Sequence, residues 1–139
     1  MPPKVWTLGY DGHLADTLIA VLVSERISTV VDVRWTASSR KKGFSKSALW
    51  TSLAEADVDY RHLRELGAPK PLRDALSVSK DFPAFARSYQ SHLGDQSEAL
   101  EALSELVRTR RVCVLCLEAN PEECHRSLLA DRLRSNMGV

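Results

Sequence analysis

Cysteine is scarce and odd in number. Three cysteines in 139 residues do not make the disulfide framework of a small secreted domain, so a reducing cytoplasm is the expected compartment. No apolar run approaches the ~20 residues a helix needs to cross a bilayer, and no membrane partner is expected. MPPKVW passes directly into VWTLGY, which is not the layout of a secretory leader, so none is expected. An excess of one charge is missing too: 19 basic residues face 18 acidic ones, for a net +1. That balance argues against general adhesion to polyanions. There is no G-x-G-x-x-G and no G-x-x-x-x-G-K-[ST], hence neither a dinucleotide nor a P-loop fingerprint, and no cofactor is expected. Internal repeats, low-complexity tracts and linkers are all lacking, so residues 1–139 are expected to form a single domain.

What is present is an ordinary globular composition, 44% hydrophobic and 27% charged, enough for a core. Val5 to Leu8 predicts a first strand, stopped by Gly9 to Gly12. Leu14, Leu18 and Leu22, with Ile19 and Val23, keep helical spacing up to Arg26. Ser28 to Arg34, with its VVDVR centre, predicts a second strand, and Ser45 is placed to cap a helix carrying Leu49, Leu53 and Ala56. Val58 to Leu63 predicts a shorter strand. Leu72 to Leu76 accounts for one or two helical turns. Phe82, Phe85, Ala86 and Tyr89 predict a helix that Gly94 ends, and Asp95 with Glu98 has the capping-box spacing for the next one. Val112 to Leu117 is an apolar run of the kind buried in parallel sheets. It leads to a last helix, with Asn120 as candidate cap and Pro121 at its first position. Strands alternating with helices predict an α/β fold, a mostly parallel sheet with helices on both faces.

Charge that balances overall is uneven locally. Arg34, Arg40, Lys41, Lys42 and Lys46 fall within thirteen residues without an acid, giving that segment +5, against 14 basic and 18 acidic residues elsewhere. Such a patch suits recognition of an anion at one place. With Trp35, Phe44 and Trp50 nearby it interleaves cations and aromatics as nucleic-acid grooves do; the alternative is a solvated loop with its aromatics in the core.

The stretch RVCVLCLEANPEECHRSLLADRL, Arg111 to Leu133, gathers the candidate chemistry. Parallel strands bring their carboxyl ends to one edge, where ligands bind in open α/β sheets, so Arg34 at the end of VVDVR and Glu118 after VCVLCL are expected at one cleft. Arg126 falls on the apolar stripe of the last helix with Leu129, Ala130 and Leu133. There its guanidinium suits bidentate phosphate recognition. The competing reading pairs Arg126 with Glu122, Glu123 or Asp32, and Arg34 with Asp32. Glu118 is a candidate acid or base, or the group that orients Arg126. His125 is a candidate for proton transfer.

Three readings compete for the cysteines. Cys113, in mid-strand, reads as a small buried hydrophobe. Cys116 at the strand end, or Cys124 beside His125, is a candidate nucleophile. A phosphatase-like layout would need an arginine six residues after Cys116, where Glu122 stands; this argues against thiol catalysis. No standard zinc spacing occurs among Cys116, Cys124, His125 and His62, so no metal site is expected.

TLGYDGH, VVDVR, SSRKKGFSK, YRHLRELGAP and CLEANPEECHRSLLA resemble, in this order, the motifs of the domain of unknown function 488 family. The resemblance covers nearly the whole chain, and C-x-E…C-H-R is its most specific part. Ala37 stands where a proline is usual, and Arg64 where a proline often follows the His-Leu pair. The resemblance implies a small α/β domain, and one functional set made of Arg34, Arg40, Lys46, Glu118, Cys124, His125 and Arg126. It implies no established reaction. The DVR strand and the Cys-ending strand also look like the rhodanese layout, an analogy of fold alone, which leaves cysteine-dependent sulfur transfer as an alternative. The expected ligand is a phosphate-bearing small molecule or a nucleic acid. An enzyme acting on it and a binding module without chemistry are the two competing classes.

Overall fold

The computed structural model describes residues 5–9, 15–35, 44–116 and 125–137. Four strands, β1 (Val5–Gly9), β2 (Thr29–Asp32), β3 (Asp59–His62) and β4 (Val112–Cys116), form one sheet in the order β1-β4-β2-β3. All three pairings are parallel, with Asp32 opposite both Leu115 and His62. The α/β expectation therefore holds. Among the described residues six helices accompany the strands: α1 (Ala15–Ser24), α2 (Lys46–Glu55), α3 (Lys70–Ser79), α4 (Phe82–Gly94), α5 (Ser97–Thr109) and α6 (His125–Met137), with a 3₁₀ turn at Arg64–Leu66. Among the described residues no helix is long and apolar enough to cross a membrane.

Two apolar layers follow from the two-residue period of the strands. Val31, Val112 and Val114 pack with Phe85, Tyr89 and Leu93 of α4, Leu100, Leu103 and Val107 of α5, and Leu129 and Leu133 of α6. Val30, Cys113 and Leu115 point the other way, onto Leu18 and Leu22 of α1 and Leu49 and Leu53 of α2, with Phe44. Because β2 and β4 are central and covered on both sides, they read as continuous apolar runs. The edge strand β3 instead alternates exposed Asp59 and Arg61 with half-buried Tyr60 and His62.

Several boundaries differ from expectation, each for a local reason. β2 stops at Asp32, although Val33 N–H still donates to the Leu115 carbonyl at 3.1 Å. The next amide, of Arg34, is taken by the Asp32 carboxylate at 3.0 Å, which ends the ladder. α1 stops at Ser24 because Arg26 turns left-handed, with φ 58°. α3 is ten residues long, well beyond the expected one or two turns. Pro69 at its N-cap and Pro71 in its first turn lie where missing N–H groups cost nothing. The capping box expected for α5 does not form: Gln96 is its N-cap, without a side-chain bond. Asp95 is instead the C-cap of α4, its N–H donating to the His92 carbonyl at 3.0 Å. Ser45 does cap α2, its Oγ accepting from Ala48 N–H at 3.3 Å. Asn120 and Pro121 lie outside the described residues.

Candidate functional site

The carboxyl ends of β2 and β3 carry the densest polar network of the described residues, built on Asp32. Its side chain is fully buried and that of Arg34 nearly so, at 6% exposure. Two residues apart on an extended chain, they share one side of the sheet, the side of α1 and α2. Arg34 Nε donates to both carboxylate oxygens, at 2.8 and 3.0 Å, and one terminal nitrogen donates to Oδ2 at 2.5 Å. The other terminal nitrogen donates to the Phe44 carbonyl at 2.6 Å. From β3, the Tyr60 hydroxyl donates to Asp32 Oδ2 as well. Burial raises the pKa of Tyr60 well above the ordinary tyrosine range, and its hydrogen bond to Asp32 raises it further. Tyr60 thus stays a neutral donor.

Residues 33–35 are held from a second side. His62 places Nε2 at 2.7 Å from the Arg34 carbonyl oxygen; a carbonyl only accepts, so this nitrogen carries the proton. Arg64 Nε donates to the Trp35 carbonyl at 2.9 Å, and its guanidinium lies 4.1 Å from the centre of the Trp35 ring, a cation–π stack. Gly67 closes the approach: a Cβ there would sit 2.5 Å from Trp35 N and 2.7 Å from the Val33 carbonyl oxygen. The His92 ring meets Trp35 edge-on at 6.0 Å, and its Nε2 lies 2.8 Å from the Glu65 carbonyl oxygen.

The sequence candidates fall into three groups. Arg34 is at the carboxyl edge, in the ion pair with Asp32 that the sequence offered as its alternative role. Lys46 is the exposed first residue of α2, two positions beyond the Phe44 carbonyl that Arg34 holds. The first turn of α2 contains no acid, so the charge of Lys46 adds to the positive end of the helix dipole. Arg40, Glu118 and Cys124 lie outside the described residues. His125 and Arg126 are the first two residues of α6, with side chains outside the described set; the position of Arg126 shares the helix face of the buried Leu129 and Leu133.

Cys113 is buried, as read from the sequence. Phe44 belongs to the core, whereas Trp50 is 63% exposed on α2. Among the described residues no group of three His, Cys, Asp or Glu side chains is placed to hold a metal ion. A surface groove of about 420 Å³ between the 3₁₀ turn and the start of α5 is lined by Glu65, Asp95 and Glu98. Three carboxylates make it hostile to a phosphate. Sequence reasoning missed Tyr60 and Gly67, whose roles arise only when β3 lies beside β2. The Asp32 hub was legible in part, since Asp-x-Arg on a strand puts both residues on one face.

A parallel α/β sheet with its polar residues at the carboxyl edge defines the class of domain. The chain belongs to the family described as Domain of unknown function DUF488, whose model matches residues 15–133. No curated protein and no solved structure matches the chain.

Proposed function

We propose that this protein binds a phosphate-bearing ligand, a nucleotide or nucleic-acid segment, at the carboxyl edge of its sheet. The observation that carries this reading is the charge state of that edge. Asp32, the one fully buried carboxylate among the described residues, is already matched by Arg34, while Arg64, which bonds Trp35 just past β2, and Lys46, the first residue of α2, are exposed. Arg64 is held at its Nε and ring face by Trp35, a preordered cation next to an indole, which suits a phosphate joined to a base. Arg40 and Arg126 complete the anion-binding set. Glu118, Cys124 and His125 follow β4 in the chain and are the proposed sources of hydrogen bonding or proton transfer.

Titration of a fluorescent oligothymidylate at several salt concentrations tests the reading. If ~3 phosphates are neutralised, the slope of log affinity against log salt is roughly −2 to −3. Arg64→Ala weakens binding, and Arg126→Lys weakens it by removing the bidentate fork while keeping the charge. Joint replacement of Arg40, Lys41 and Lys42 by Glu abolishes binding. Affinity that persists through these substitutions and through high salt overturns the proposal.

A further inference from the structure

Arg34 has a geometry unlike that of a ligand-binding arginine. Its root is fixed from every side: its N–H by Asp32, its carbonyl by His62, and the backbone of residues 33–35 by Gly67 and Arg64. Its fork is fixed too, at 6% exposure, by the carboxylate of Asp32. One terminal nitrogen reaches ten residues along the chain to the Phe44 carbonyl. Phe44 is fully buried by its ring, and it immediately precedes Ser45, the N-cap of α2. The guanidinium therefore ties the rigid end of β2 to the start of α2. A buried ion pair adds little stability over an apolar replacement, and its best-attested use is to select one arrangement.

We propose that Arg34 is a positioning residue: it holds the first turn of α2 against the carboxyl end of β2, and so sets where Lys46 meets an anion. Asp32 and Tyr60 serve to aim the fork. The part concerning Lys46 rests on the anion-site reading above; the part concerning α2 does not. Lysine cannot replace the fork, because a single ammonium on a flexible stem does not bridge a carboxylate and a carbonyl in fixed directions.

Arg34→Lys is the discriminating variant, since it keeps a cation opposite Asp32. Its first readout is amide hydrogen exchange in the full chain without ligand. The Ala48 and Leu49 amides, which close the first turn on Ser45, should exchange about tenfold faster, whereas Val114 and Leu115 in β4 stay unchanged. Tyr60→Phe, the milder variant should Arg34→Lys fail to fold, should shift the same two amides in the same direction by less. Unchanged exchange at Ala48 and Leu49 overturns the proposal, whether or not any anion binds.

The second readout is oligothymidylate binding at a temperature where both proteins are folded. Arg34→Lys should weaken it about tenfold, and Lys46→Gln should weaken the parent protein but add little on top of Arg34→Lys, as expected for coupled residues. Additive losses, or full affinity in Arg34→Lys, overturn the link to Lys46. If the parent protein binds no oligothymidylate, the anion-site reading fails, the link to Lys46 falls with it, and exchange alone decides the tie to α2.

Discussion

At the scale of single residues, two tyrosines show how burial sets the pH range of this fold. Tyr89 is fully buried with its hydroxyl donating to the Leu66 carbonyl at 2.5 Å, and burial raises its pKa far above the ordinary value. Tyr60 is raised by burial and then by its bond to Asp32. In both, the neutral form is favoured by folding. Their contribution is therefore complete below the unfolded tyrosine value of about 10 and is lost as pH rises beyond it. Urea unfolding across pH should show little tyrosine-dependent change up to about pH 10, then falling stability; in the double variant Tyr60→Phe/Tyr89→Phe the alkaline fall should be shallower. At neutral pH, Tyr89→Phe should cost about 1–3 kcal/mol, because the Leu66 carbonyl loses this partner. An equally steep alkaline fall in the double variant would assign the loss to other groups.

At the scale of elements, helix ends carry a cost that composition did not reveal. α1, α2 and α3 each end near a left-handed residue that is not glycine: Arg26, Asp57 and Lys80, with φ of 58°, 59° and 58°. A side chain in that region costs roughly 1–2 kcal/mol, less for Asp, and glycine relieves it at some entropic expense. Lys80→Gly and Arg26→Gly should each raise stability by about 0.5–1 kcal/mol, and Asp57→Gly by less. Differential denaturation of the three variants checks the order. Stability lower in Lys80→Gly would show that the Lys80 side chain contributes more than its backbone strain removes.

At the scale of the molecule, the close seating of the 3₁₀ turn on residues 33–35 joins the carboxyl ends of β2 and β3 into one surface. Gly67 permits it with an ordinary extended φ of −78°; the constraint is space, not torsion. A methyl group at Gly67 would meet backbone atoms of Val33 and Trp35, which are tied by His62 and Arg64 and cannot retreat. Gly67→Ala should therefore destabilise by ~1–3 kcal/mol and, by parting Arg64 from Trp35, should weaken oligothymidylate binding more than the stability loss explains. Wild-type affinity with normal stability in Gly67→Ala would show that the seating is loose.

Read alone, the sequence determined the α/β class, the parallel sheet, both covered faces of β2 and β4, and the cap at Ser45. These depend on periodicity and local chemistry, which neighbours along the chain carry: VCVLC is apolar throughout, and VVDVR is apolar apart from the paired Asp32 and Arg34, because helices cover both sides of them. It also placed Arg34 and Asp32 on one side of a strand, leaving a ligand site and an ion pair as rival outcomes. The end of α1 was read as far as Arg26, two residues beyond Ser24, but the end of α3 at Lys80 was not legible, because no glycine marks it. The start of α5 was misplaced, because Asp95 satisfies a capping pattern while its own amide closes α4. Only the tertiary structure decided that Tyr60 and His62 stand beside Asp32 and Arg34, that Arg64 lies on Trp35, and that Arg34 reaches Phe44. Each of these relations joins residues ten to thirty positions apart, and their meeting depends on strand order and register, which local pattern does not encode.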